Sequence, residues 1–172
     1  LSGIEEVQMG KVMEPTIARL FQDKHRIELK DADYALSHPT EPWLRSHFDY
    51  ISADGRTLVE CKNYNAGVMS KFDEETNVVP AADMAQLIHE AAVHNVGEVF
   101  LAVLFGGQKF RTFHFTITDQ MKEDFIRQMA KYWGFVATNT LPEPDSLESV
   151  KLIYPESTEE SFTASGAVEK AV

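Results

Sequence analysis

A single cysteine in 172 residues, Cys61, excludes an internal disulfide framework and a cysteine zinc cluster. The expected setting is therefore reducing and intracellular. No apolar run is long enough to span a membrane, and no basic-then-apolar leader opens the chain. Basic residues are scarce: 16 Lys and Arg stand against 27 Asp and Glu, a net charge of −11. That balance argues against a general polyanion-binding surface and leaves room for a local basic channel. The acidity is uneven. Residues 142–172 hold seven acids and two lysines, a charge of −5, which leaves −6 for residues 1–141. Pro, Ser, Thr and Glu crowd the same segment, and "PESTEESFTASG" (155–166) reads as a linker or loosely ordered tail. We therefore expect a core domain over 1–141 and an acidic extension over 142–172.

What is present suits one folded domain: 44% of residues are apolar and 25% are charged. The spacing predicts a helix over 4–22, with Val7, Met9, Val12, Met13, Ile17, Leu20 and Phe21 as apolar positions. Pro15 is expected to kink it or to start a second helix near Met13. A short exposed strand and turn follow in 24–36, then a loop set by the prolines of "SHPTEPW". Strands are expected at 47–53 and 56–63, a helix at 81–95, strands at 98–105 and 109–117, and a helix at 119–133 capped by Thr118. Strand 98–105 ("EVFLAVLF") is apolar on both faces and should be interior. The fold class is α/β (α+β), a central mixed β-sheet flanked by helices.

The informative stretch is "HFDYISADGRTLVECKNYN" (47–65). Asp54-Gly55 between two β-like runs is a strong hairpin signal. With a two-residue loop, Ile51 faces Leu58, Tyr50 faces Val59 and Asp49 faces Glu60. Period 2 puts Lys62 and His47 on the same side, and Cys61 on the other as a small buried apolar residue. Two facing carboxylates repel. A divalent cation compensates best, and Mg²⁺ takes such hard oxygen ligands, to which the Cys61 carbonyl could be added. The plainer reading is a cross-strand ion network on an exposed face. A second Glu-x-Lys, Glu28-Leu29-Lys30, has no acid set opposite it by a turn and reads as a solvated edge.

Asp-x(10)-Glu-x-Lys on a hairpin, between a helix bearing Glu and one bearing Gln, resembles the PD-(D/E)xK nucleases, whose core is restriction-endonuclease-like. Within them the likeness is to the YqaJ-type viral recombinases, relatives of phage lambda exonuclease, over roughly residues 10–135. "GKVMEPTIARLF" (10–21) resembles the family's Gly-x3-Glu helix. "HPTEPWLRSHFDYI" (38–51) looks like the segment leading to the metal aspartate, and "VECKNYN" (59–65) like the Glu-x-Lys strand. "VVPAADMAQLIHEAAVHNV" (78–96) is similar to the Pro…Gln-x2-His helix, and "VFLAVLFGGQKFRTFHF" (99–115) to the following strand pair. The chain has Phe48-Asp49-Tyr50 where the family usually has Pro-Asp-Gly, and Ile88 where it has a second Gln. The family's 5′-phosphate-gripping Arg and Ser segment would precede Leu1.

The resemblance implies Mg²⁺-dependent hydrolysis of DNA phosphodiesters, with Mn²⁺ able to substitute. Asp49, Glu60 and the Cys61 carbonyl would bind the metal, with Glu14 as an outer carboxylate. Lys62 would orient or deprotonate the nucleophile, and Gln86 would bond the substrate or Lys62. Arg45 and His47 are candidate phosphate contacts, and Lys11, Lys71, Lys109 and Arg111 further candidate cations. His89 is expected to be a satisfied, half-buried histidine. Trp43 and Tyr64 are either base-stacking or packing residues. The implied activity is 5′-to-3′ exonuclease action on duplex ends. An endonuclease or resolvase on the same fold, or a non-catalytic binding module, are the alternatives. A single-strand annealing partner, a ring-shaped homotrimer and a phage or prophage origin in a bacterial cytoplasm are implied only by the resemblance.

Overall fold

In the computed structural model, residues 5–32 and 35–153 are described. Helix α1 (Glu5–His25) is followed by strands β1 (Leu29–Asp31), β2 (Leu36–Ser37), β3 (Arg45–Ser46), β4 (Tyr50–Ser52) and β5 (Thr57–Tyr64). A short 3-10 turn, Ala66–Lys71, leads to α2 (Ala81–His94), β6 (Glu98–Phe105), β7 (Lys109–Thr116), α3 (Asp119–Thr138) and α4 (Leu147–Ile153). The chain divides into two compact units, Leu1–Trp133 and Gly134–Val172. The expected tail at 155–166 lies outside the described residues. Among those described, no helix is long and apolar enough to cross a membrane.

Five strands form one mixed sheet in the order β1-β4-β5-β6-β7, with β2 and β3 as a separate pair. Strand β5 runs parallel to β6, and the other neighbours are antiparallel. A parallel pair needs a crossover, and α2 supplies it. Each face of the sheet has its own apolar cluster. Ile17, Ala18 and Phe21 of α1 pack on Tyr50, Val59, Cys61, Ala102 and Leu104. Leu87 and Ala91 of α2 pack on Leu58, Val99, Leu101 and Val103. Alternate residues of β5 and β6 thus feed opposite clusters, as a strand buried on both faces must.

Three expectations are corrected or narrowed. Helix α1 runs through Pro15 as one element, so of the two expected outcomes the second helix start near Met13 does not occur. Proline removes the bond to the carbonyl four residues back and crowds that carbonyl, and the packing of Ile17, Ala18 and Phe21 anchors the C-terminal half. Its N-terminal apolar residues Val7, Met9 and Val12 are exposed. Second, α3 continues to Thr138, beyond the expected end at 133. The Thr118 cap is as expected, with its Oγ1 accepting the Met121 N–H at 3.2 Å. Third, the first hairpin strand starts at Tyr50, three residues later than its pattern suggests.

Candidate active site

The hairpin turn holds Gly55 at φ +75°, a conformation that favours glycine. Ser52 Oγ donates to Asp54 Oδ1 at 2.5 Å and accepts the Thr57 N–H at 3.0 Å, which ties the two strand ends together. The register is the expected one: Ile51 pairs with Leu58, and Tyr50 with Val59. The ladder then stops. Phe48 packs in the α2-side cluster and Tyr50 in the α1-side cluster. In a regular strand residues two apart share a face, so the backbone must turn between them. Asp49 is released by that turn, and its Oδ2 accepts the Cys61 N–H of β5 at 2.8 Å.

Glu60 and Lys62 share the α2 face of β5, the central strand. Glu60 is 5% exposed. Its Oε1 accepts Lys62 Nζ at 2.7 Å and Gln86 Nε2 at 2.6 Å. Lys62 Nζ also donates to Gln86 Oε1 at 2.8 Å. The other amide proton of Gln86 goes to Glu90 Oε1 at 2.8 Å. Two buried oxygens have no hydrogen-bond partner, Glu60 Oε2 and Glu90 Oε2. Glu90, 3% exposed, was not singled out from the sequence. The available signal was its place one helical turn after Gln86, on the same face of α2.

Burial, followed by the charge of Asp49, pushes the Glu60 carboxyl up to about 7. Burial and the charge of Glu60 push Glu90 up to about 9. Burial pulls the Lys62 ammonium down, but the charge and hydrogen bond of Glu60 outweigh it and hold the group above its ordinary value. Lys62 is therefore an ammonium at neutral pH. The Cys61 thiol faces α1 and is buried, and its desolvation pushes it up.

The remaining acids meet on the α1 side. A cavity of about 210 Å³ is lined by Glu14, Asp31, His47, Asp49 and the Ala32–Tyr50 wall. Burial and the charge of Asp49 raise the Glu14 carboxyl. Asp49 thus acts electrostatically on both groups, Glu14 beside it and Glu60 beyond. Asp31 ends the exposed strand β1 and was missed because its neighbours gave no site signal. Among the described residues no three His, Cys, Asp or Glu side chains converge as a ready-made cage for an ion. Mg²⁺, which keeps waters and takes one or two carboxylates, does not need one.

Arg45 lies elsewhere: it is exposed on β3, and its Nε donates to the Pro42 carbonyl of its own loop at 3.5 Å. Tyr64 donates to the buried Asp83 at 2.7 Å and packs near Phe72 and Phe105, so it serves packing. Trp43 stacks on Trp133 with centroids 5.7 Å apart. His89 is half-buried and stacks on Phe125, but its Nε2 is buried without a partner. Arg111 is paired with Glu74 at 2.8 Å.

The mixed five-stranded sheet with a helix on each face defines a fold class that solved exonuclease structures share. An alkaline exonuclease from Laribacter hongkongensis, LHK-Exo, matches with a TM-score of 0.68 at 13% identity, over 79% of this chain and 71% of that one. A phage-related exonuclease from Haemophilus somnus 129PT gives 0.61 at 10% identity, over 80% and 74%. Sequence supplies the family. The YqaJ-like viral recombinase domain matches residues 2–97, and the chain belongs to that family. The uncharacterized protein YqaJ of Bacillus subtilis (strain 168) is 21% identical over 132 residues, or 76% of this chain, and the chain spans 41% of that relative's length. Glu14, Asp49, Glu60, Lys62, Gln86 and Glu90 all fall inside the matched 2–97.

Proposed function

We propose that the chain is a metal-dependent deoxyribonuclease of the phage recombination type, digesting one strand of duplex DNA from its 5′ end. The observation that carries this reading is Glu60: a buried carboxylate whose Oε1 is engaged by Lys62 and Gln86 while Oε2 has no partner. An unpaired buried carboxylate oxygen is costly, and a hard cation relieves that cost. Glu60 and Asp49 would hold Mg²⁺, or Mn²⁺ in its place, with the Cys61 carbonyl and Glu14 as further donors. The ion, when bound, supplies water activation and neutralises charge at the scissile phosphate.

The other roles belong to side chains. Lys62, kept as an ammonium, donates to a phosphate oxygen and offsets the charge that develops there; it is an acid and an electrostatic partner rather than a resting base. Gln86 holds Lys62 Nζ and Glu60 Oε1 at a fixed separation. His47, on the wall of the acidic cavity, is the phosphate contact of this reading. Its partners are duplex DNA ends, a strand-annealing protein and two further copies in a ring, in the cytoplasm of a phage-bearing bacterium.

The test is cleavage of a linear 5′-phosphorylated duplex beside a covalently closed circle, in Mg²⁺. Loss of the linear DNA with an intact circle, abolished in Lys62→Ala, is the expected result. Linearised circles would move the assignment to an endonuclease. No cleavage in either Mg²⁺ or Mn²⁺ would remove the enzyme reading altogether.

A further inference from the structure

We infer that Glu90 is a positioning residue, whose buried carboxyl fixes the Gln86 side chain so that one amide can serve Lys62 and Glu60 together. Gln86 has two amide protons and one carbonyl oxygen. In this structure the oxygen takes Lys62 Nζ at 2.8 Å, and the amide nitrogen donates to Glu60 Oε1 at 2.6 Å and to Glu90 Oε1 at 2.8 Å. Every polar atom of the amide is used. The bond to Glu90 stays within α2, between residues one turn apart, so it anchors the amide to its own helix. The bonds to Lys62 and Glu60 cross to β5. Without the anchor, the amide is free to rotate about its last torsion, which is broad for glutamine.

Glu90 suits this task as a neutral acid. It is 3% exposed, its Oε2 has no partner, and no cation is bonded to it. Burial first, then the charge of Glu60, raises its carboxyl above the ordinary range, which favours the neutral form. An ionised Glu90 would add a second negative charge behind Glu60 and compete for Lys62. A neutral carboxyl offers an acceptor without that competition. The residue touches no reacting atom in the proposed chemistry. It acts through Gln86, as outer-shell partners do when they orient the groups that meet a substrate or an ion.

The inference uses the nuclease reading for its kinetic arm only. Three variants separate the possibilities: Glu90→Gln keeps size, neutrality and an acceptor oxygen, while Glu90→Leu and Glu90→Met keep bulk and lose the acceptor. On linear duplex with Mg²⁺, Glu90→Leu should lower kcat about tenfold, with KM for DNA within twofold, and Glu90→Gln should restore most of that loss. Glu90→Met stands in if Glu90→Leu does not fold. The second arm reads the Gln86 side-chain amide by nitrogen-15 NMR, assigned through its loss in Gln86→Leu. In the wild type and Glu90→Gln both amide protons should exchange slowly with water; in Glu90→Leu one should exchange at least tenfold faster. Wild-type kcat in Glu90→Leu, or a Glu90→Gln loss as large as that of Glu90→Leu, overturns the inference, the latter in favour of an ionised carboxylate. So does fast exchange of either Gln86 proton in the wild type. Should the wild type cleave no DNA while the amide behaves as stated, the nuclease reading fails and the positioning role stands.

Discussion

Glu28-Leu29-Lys30 and Glu60-Cys61-Lys62 repeat one acid-x-lysine pattern at two places in one sheet. The first belongs to the outermost strand; the second lies on the central one. Glu28 and Lys30 are both exposed, and Lys30 donates to the Ala53 carbonyl across the strand at 2.9 Å. Glu60 is buried, and Lys62 and Gln86 both donate to it, with Gln86 tied on to Glu90. The tripeptides do not differ in chemistry. What differs is desolvation. At the edge, water satisfies both charges and the pair is worth little. In the centre, the same charges must find partners, shift their protonation or bind a counter-ion.

The largest effect should separate the two lysines in activity. Lys62→Ala is expected to lower DNA cleavage by about a thousandfold, near the upper end for removing one stabilising donor at a reacting centre. Lys30→Ala should leave the rate unchanged. The measurement is release of nucleotides from a linear duplex in Mg²⁺. Equal losses in both variants would show that general cationic character, and not the central site, governs the reaction.

The next test compares the two glutamates through pH. In the metal-free protein the native Glu60 holds its proton up to about 7, against 4.5 for an ordinary glutamate. Between those values the native state binds more protons at Glu60 than the unfolded one does, so the stability Glu60 contributes is full below 4.5 and falls as pH rises towards 7. The change should be on the order of 3 kcal/mol. Chemical denaturation between pH 4.5 and 8 should show this slope reduced in Glu60→Gln, with the part due to Glu90 remaining, and the exposed Glu28→Gln serves as the control. Added Mg²⁺ should raise the melting temperature most at the alkaline end, where the carboxylate is free to take it. A Mg²⁺ shift that persists in Glu60→Gln would argue against Glu60 as a ligand.

His94 isolates burial from charge. Its ring lies edge-on to Phe48, with centroids 3.8 Å apart, and its Nε2 is buried without a partner. Burial alone lowers it to about 4. The unfolded chain then takes up a proton near 6.5 that the native state refuses, so the stability His94 contributes should fall as pH drops from 6.5 towards 4. Because the ring is only half-buried, the loss should be about 1 kcal/mol, with His94→Gln removing the slope. An unchanged slope in that variant would assign the acid limb to other groups.

Much of this contrast was legible in the sequence, because it rests on period and turn chemistry. The apolar run at 98–105 became β6 with the expected ends, and Asp54-Gly55 gave the observed pairing of Tyr50 with Val59. Period 2 put Glu60 and Lys62 together, and both meet Gln86. Two features escaped for physical reasons. Asp49 left the ladder because Phe48 and Tyr50 are claimed by opposite clusters, a demand visible only once α1 and α2 take their faces. Glu90 looked like an ordinary helix acid, since nothing local tells a helix which of its polar residues will face a sheet.

The smallest effect lies in the turn that makes the comparison possible. Gly55 has φ +75° and open space where a side chain would begin, so only backbone conformation opposes substitution there. Gly55→Ala should cost about 1 kcal/mol, the penalty of a left-handed alanine, and Gly55→Asn markedly less. Equilibrium denaturation reads both. If the register is held by the turn, the alanine variant should also weaken the Mg²⁺-induced thermal shift, because Asp49 and Glu60 depend on the alignment of β4 with β5. If it is held by the two apolar clusters, stability should fall and the Mg²⁺ response should not. Tyr50, Ile51, Leu58 and Val59 all contribute to those clusters, so the second outcome is expected.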